Sequence, residues 1–329
     1  MIQKNALKAA SFLLLGFLPL SSCNSDETDP SPPTEPLPPV IAVNPISDVE
    51  CLRKISLVLT DQGPSGTDIA ALESGTTLRD FAEQYLETAE FEQVVFNWYR
   101  GEFPTTLLTA ITTDIEEPAR IAAYIINEDQ DYREIVTGTY TVEVDGTVTE
   151  VTDRPAAGVL STTHNMSAFV GGFRRQWSGH MIATWSPYIL EAIQLPPGFD
   201  GGDVEPQTLA ENPGCRGCHV DEVVGVDNIA NFALCYADDG SYIDGCEEVE
   251  STFLARTGSG LQDFGRILSE SNEFKATTIN FFFEKLTGRS IAFEEADFYA
   301  ALAESFTANG YNAKLLLTDM VASGEFCSR

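Results

Sequence analysis

Cys51-Leu52-Arg53-Lys54-Ile55-Ser56-Leu57-Val58-Leu59 sets the pattern of the chain. Leu52, Ile55, Val58 and Leu59 recur at the spacing of one helix face, with charged and polar residues between them. The same period returns on both sides of a short β signal. Asp68 to Leu72 and Leu78 to Leu86 read as two further helices, and Phe91, Val94, Val95, Trp98 and Tyr99 form an aromatic-rich stripe. Ala119 to Ile126 reads as another helix. Tyr140-Thr-Val-Glu-Val, Asp145-Gly146 and Thr147-Val-Thr-Glu-Val alternate as a β-hairpin, and Asp-Gly favours a two-residue turn. Residues 168–193 read as one long helix with a kink at Pro187. Further helices are expected around Leu261–Leu268, Phe274–Leu286, Glu294–Phe306 and Ala313–Val321. The fold class is therefore mainly α, multi-helical, with one small hairpin.

The chain has 329 residues, 19 Lys+Arg and 50 Asp+Glu, for a formal net charge of −31. So little positive charge leaves no basic face for a nucleic-acid backbone, which excludes that class of partner. A hydrophobic share of 43% is that of a globular chain. Seven cysteines are an odd number, so at least one does something other than pair within the chain. With only three histidines a multi-histidine zinc or di-iron site is nearly excluded.

The N-terminus reads as targeting rather than fold. Lys4 and Lys8 precede an apolar run from Ala9 to Leu20. That run is shorter than the about 20 residues a spanning helix needs, but it suits a secretory signal. It ends in Leu20-Ser21-Ser22-Cys23, which resembles the lipobox of bacterial lipoproteins. There the cysteine is lipidated and becomes the mature N-terminus. By the same resemblance, Asn24 in place of Asp points to the outer membrane, with the folded part in the periplasm or at the cell surface. Removing residues 1–22 takes away Lys4 and Lys8 and no acid, leaving 17 basic and 50 acidic residues. Residues 23–46 carry seven prolines among acidic and hydroxyl side chains. They read as an extended tether, at about 3.1 Å per residue. The expected layout is a signal over 1–22, a tether over 23–46, an N-terminal helical domain with the hairpin over 47–155, and a second domain over 156–329. No later segment is long and apolar enough to cross a membrane.

The chemistry concentrates in Cys215-Arg216-Gly217-Cys218-His219. C-x-x-C-H is the attachment signature of c-type haem. Two cysteines three apart at the start of a helix reach the two vinyl groups on one edge of the porphyrin. The adjacent histidine then turns under the ring as an axial ligand. Given the composition, roughly 0.001 such motifs arise by chance in a chain of this length. The rival readings fare worse. A thioredoxin-like C-x-x-C wants a βαβ setting, and Pro213-Gly214 with acidic loops does not supply one. A zinc site needs further ligands, and in an exported chain Cys235 and Cys246 are better placed as a disulfide. One motif implies one covalent haem c, held by Cys215 and Cys218 with His219 as proximal iron ligand.

The distal ligand stays open. His180 and His164 are the candidates kept for it, and an open iron face is the third possibility. Met181, Met320 and Met166, the last in the same stretch as His164, are further candidates by residue type. Met181 falls in an i, i+4 stripe with Trp177 and Trp185, and Met320 lies on an apolar helix face with Leu316 and Leu317, so both read as core. Arg174, Arg175 and Arg216 could reach haem propionates, although exposed helix charge is the plainer account. With Cys23 assigned to lipid and Cys215 and Cys218 to haem, Cys51, Cys235, Cys246 and Cys327 remain. Three pairings are possible. A local Cys235–Cys246 staple is favoured, which leaves Cys51–Cys327 to tie the start of the folded part to its end. The acidic loops at Asp200–Asp203 and Asp238–Gly240 do not match an EF-hand and read as solvated surface. No H-E-x-x-H, G-x-S-x-G, phosphate-binding loop or dinucleotide fingerprint occurs.

These residues together resemble the planctomycete-type cytochrome c family. The likeness begins at Arg154-Pro-Ala-Ala-Gly-Val-Leu-Ser-Thr162 and continues through the haem motif to Val226-Asp-Asn-Ile-Ala-Asn-Phe-Ala233. It then takes in Asp239-Gly-Ser-Tyr-Ile-Asp244 and Phe283-Glu-Lys-Leu-Thr-Gly288, and ends with Leu316 to Phe326. The family's Pro-Leu-Gly after the motif is Asn228-Ile229-Ala230 here, and the chain is shorter than most members. The resemblance implies a helical haem-bearing fold and electron transfer, and brings no substrate. The functional expectation is an exported, lipid-anchored monohaem cytochrome passing single electrons to a redox partner with a basic patch. The alternatives are a haem enzyme of peroxidase or small-ligand-binding type with an open distal site, and an interaction protein with a structural haem. An electron carrier is favoured over a catalytic enzyme.

Overall fold

The computed structural model describes residues 45–103, 114–162, 164–165, 174–185, 219–234, 242–245 and 249–328. Among them the fold is mainly α with two small antiparallel hairpins. The first four helices are α1 (Asp48–Thr60), α2 (Gly66–Glu73), α3 (Leu78–Tyr85) and α4 (Ala89–Glu102). The first three open on capping boxes, Ser47 with Glu50, Ser65 with Asp68 and Thr77 with Asp80. Each satisfies two backbone N–H groups that a helix start leaves unpaired. Next come α5 (Glu117–Asn127) and the short α6 (Glu134–Thr137). Of the long helix expected over 168–193, α7 (Arg174–Trp185) is described, and Pro187 lies outside the described residues. The chain continues with α8 (Val226–Ala230), α9 (Gly260–Ser269), α10 (Asn272–Thr287), α11 (Ala296–Ala308) and α12 (Ala313–Val321).

The expected hairpin is present, with β1 (Tyr140–Val142) paired to β2 (Val148–Glu150) and Val142 opposite Val148. Its turn differs from the two-residue form. The loop is Val144-Asp145-Gly146, closed by Gly146 N–H to Glu143 C=O at 3.0 Å and Glu143 N–H to Thr147 C=O at 2.9 Å. Gly146 sits at φ +83°, so it absorbs the extra residue as a bulge that a side chain would strain. A second hairpin, β3 (Glu250–Phe253) and β4 (Arg256–Ser259), was not expected from the sequence.

One hydrophobic core serves residues 47–155 and 156–329 alike, and Val43–Arg329 form a single compact unit. Tyr132 stands at its centre and meets Phe274, Phe282 and Phe306 at ring-centroid distances of 5.9, 5.4 and 6.3 Å. The Tyr99 and Tyr132 hydroxyls share a hydrogen bond of 2.6 Å, and burial holds both phenols protonated. Each such ring pair contributes about 0.5–1.5 kcal/mol beyond the area it buries.

The two ends of this unit are joined. Cys51, buried on α1, forms a disulfide with Cys327 across 276 residues, with Cα atoms 5.2 Å apart. Around it, Ile46 N–H donates to Cys327 C=O at 3.0 Å, and the Lys54 ammonium donates to Phe326 C=O at 2.6 Å. The ammonium also lies 4.3 Å from the Phe326 ring centroid. Cys235 and Cys246 lie outside the described residues, as do Cys23, the expected signal and most of the expected tether. Among the described residues no helix is long and apolar enough to cross a membrane.

Two expectations follow. Replacing Cys51 and Cys327 together by alanine should cost about 2–5 kcal/mol in denaturant unfolding, since so long a loop gains much entropy when opened. An unchanged midpoint would contradict a closed bond. The second concerns Glu117, which accepts from the Thr141 hydroxyl at 2.7 Å and lies 3.9 Å from Arg154. Burial raises its carboxyl above the ordinary 4.5 despite both partners. An acid raised in this way contributes stability at low pH and loses it as pH rises through the folded value. Glu117→Gln, which keeps an acceptor for Thr141, should therefore unfold later than the wild type at about pH 7, with the gap closing near about pH 4. A gap independent of pH would show that the charge is not responsible.

Candidate functional site

The described part of the C-x-x-C-H motif is His219, and a tight backbone loop follows it. The Asp221 carboxylate accepts from Val223 N–H at 2.8 Å and Val224 N–H at 3.2 Å. Gly225 N–H donates to Asp221 C=O at 2.9 Å. The chain folds back so closely at Gly225 that a Cβ there would lie 2.5 Å from Asp221 O and 2.9 Å from His219 O. Only a residue without a side chain permits that approach. The reversal starts α8 at Val226 and brings Asp227, in its first turn, back to the motif. His219 Nδ1 and Asp227 Oδ1 are 3.2 Å apart, with both side chains mostly buried.

This contact selects a tautomer. Facing an ionised carboxylate, which can only accept, a neutral ring carries its proton on Nδ1 and keeps the lone pair on Nε2. A neutral imidazole with Nδ1–H donated to a carboxylate is how metal-ligating histidines are commonly held.

The loop is in turn strapped to the β3–β4 hairpin. Leu254 N–H donates to Val223 C=O at 2.8 Å, and Ala255 N–H donates to Glu222 C=O at 2.9 Å. Asn228 Nδ2 bridges Asp221 C=O at 3.0 Å and Thr252 Oγ1 at 3.3 Å, and the Ser251 hydroxyl donates to Asn228 C=O at 2.7 Å. Leu254 and Ala255 both have positive φ, 51° and 55°. Left-handed backbone costs a non-glycine residue about 1–2 kcal/mol. The two hydrogen bonds to the His219 loop are made from those strained residues and offset the cost. The hairpin itself is anchored by Phe253, whose ring centroid lies 4.8 Å from that of Phe264 on α9.

α8 packs against α7, the helix that carries His180. The expected stripe on α7 holds, with Trp177, Met181 and Trp185 all buried. Trp177 meets Phe264 at 5.5 Å and Trp185 meets Phe274 at 5.9 Å. His180 lies at the edge of that stripe, its Nδ1 3.5 Å from the Thr184 hydroxyl. Burial pushes its imidazole below the ordinary value, against the pull of Glu102, and so favours the neutral, ligating form. His164 is fully buried in a helical start where Asn165 N–H donates to Thr162 Oγ1 at 3.3 Å. Met320 is fully buried among the core residues of α12. Cys215, Cys218, Arg216 and Met166 lie outside the described residues, and so do the side chains of Arg174 and Arg175. The acidic loops at 200–203 and 238–240 are outside them too, and among the described residues no cluster of three or more His, Cys, Asp or Glu forms a metal cage.

The chemistry of His219 fits a haem ligand, since its Nδ1 is committed to Asp227 and its Nε2 is the nitrogen left to bind iron. Asp227, the residue that completes the histidine's setting, was not singled out from the sequence. Its signal was the carboxylate eight residues after the motif histidine. No protein-family model matches the chain, and no curated protein or solved structure matches it.

Gly225→Ala should destabilise the fold by about 1–3 kcal/mol, as overpacking against backbone does. Gly63→Ala, where a Cβ meets nothing within 4 Å, serves as control. Equal unfolding midpoints for the two variants would show that the loop yields without cost.

Proposed function

We propose that the protein is an exported, lipid-anchored c-type cytochrome that holds one covalent haem and passes single electrons. The observation that carries the reading is the Cys215-Arg-Gly-Cys-His219 motif, supported by a histidine whose Nδ1 is already engaged by Asp227. Cys215 and Cys218 would form the two thioethers and His219 would supply the proximal nitrogen. Bound there, the group supplies a one-electron iron couple. The rest is the chain's own work. Asp227 orients the imidazole, Gly225 lets the loop close, and the strap from Leu254 and Ala255 holds the loop in place. His180 or His164 would serve as the second axial ligand, and Cys23 would carry the lipid that keeps the folded part at the outer membrane. The acidic excess would draw a redox partner through a basic patch and make the encounter rate fall with salt.

The test is the protein matured alongside c-type haem attachment machinery. Its mass should rise by one haem that survives denaturation, and Cys215→Ala with Cys218→Ala should abolish that addition. Visible absorption and paramagnetic resonance should report a six-coordinate low-spin haem whose ferrous form ignores CO. No covalent haem would overturn the proposal, and a ferrous form that binds CO would replace electron transfer with ligand chemistry at an open iron face.

A further inference from the structure

We infer that Asp227 is a positioning residue that sets the reduction potential of the haem through His219, by drawing on the Nδ1 proton and strengthening Nε2 as a donor. The inference rests on the haem reading above and names the residue that regulates the same site. The geometry is direct, with Nδ1 and Oδ1 3.2 Å apart. The two side chains are 27% and 20% exposed, so water competes only in part for the contact. A hydrogen bond to a charged acceptor in such a setting is stronger than one to a neutral carbonyl. It gives the imidazole partial imidazolate character, and a more basic ligand favours ferric over ferrous iron. The potential is thereby lowered.

The contact is built in rather than incidental. Gly225 permits the reversal, and Asn228, next to Asp227, is tied on both sides, to Asp221 C=O and to Thr252. The carboxylate is therefore delivered to the ring by backbone that has little freedom to withdraw it. This implies a reaction order. A low-potential haem takes electrons only from a stronger reductant and hands them readily to acceptors above it, so the reaction that supplies it must be the more reducing of its two neighbours.

The experiment compares redox titrations of the haem-loaded wild type, Asp227→Asn and Glu222→Gln. Glu222 is exposed in the same loop, and its loss removes one negative charge without touching Nδ1. Asp227→Asn should raise the midpoint, by about 59 mV for each tenfold loss in preference for ferric iron in a one-electron couple. The g-values of its ferric haem should shift toward a weaker axial imidazole, while Glu222→Gln changes neither comparably. Asp227→Glu, which keeps the charge and displaces the oxygen, should fall between wild type and Asp227→Asn. It also carries the test if the asparagine variant fails to mature. Equal shifts in the asparagine and Glu222→Gln variants, or unchanged g-values, would reduce Asp227 to a nearby charge and overturn the inference. A wild type without haem would overturn the functional reading instead, so the two failures are distinguishable.

Discussion

The structure depends on a continuous buried seam of aromatic rings. It runs from Phe253 and Phe232 to Phe264, and through Trp177 onto α7. From Trp185 it passes to Phe274 and then to Tyr132 and its hydroxyl contact with Tyr99. Rings of this size bury much area each and accept few relative orientations, so the seam fixes directions as well as holding the core together. It places α7 by two points of attachment along its length. α8 and the His219 loop are then placed by packing on α7 and by the strap to the hairpin that Phe253 anchors.

The candidate site therefore hangs on contacts between segments far apart in sequence. The His219 loop is short, and bonds within it are joined by two backbone bonds from a distant turn. Its form is borrowed from the 254–255 turn, which is itself strained and held in place by the loop. Each makes the other's conformation affordable, which is a common way for strained backbone to persist beside a site. The Cys51–Cys327 bond acts at the opposite end of the chain order, holding the first helix of the core to the last residues.

Much of the helical fold was legible because long amphipathic stretches carry their own period. α1, α3, α4, α5, α9, α10, α11 and α12 all fall where apolar spacing placed them. The three capping boxes, Ser or Thr followed three residues later by Glu or Asp, were found only in the structure. The β3–β4 hairpin was not legible. Its turn residues are Leu254 and Ala255, which carry none of the Gly, Asn or Asp signals of a tight turn. Hydrogen bonds from another segment impose that conformation. The turn at Gly146 was misjudged for the opposite reason, since Asp-Gly serves both a two-residue turn and a bulged three-residue loop, and local sequence does not separate them.

The sequence by itself determined the class of fold, the cysteine and histidine spacing that carries the candidate chemistry, and the charge that any partner must meet. Those are properties of local order and composition, set by periodicity and by which side chains stand a few residues apart. Only the tertiary structure decided that residues 47–155 and 156–329 share one core, that Asp227 faces the His219 ring, and that a left-handed turn at Leu254 and Ala255 braces the loop between them. These depend on which surfaces exclude water together and on where backbone polar groups find partners once they have done so, and neither is written in any single stretch of the chain.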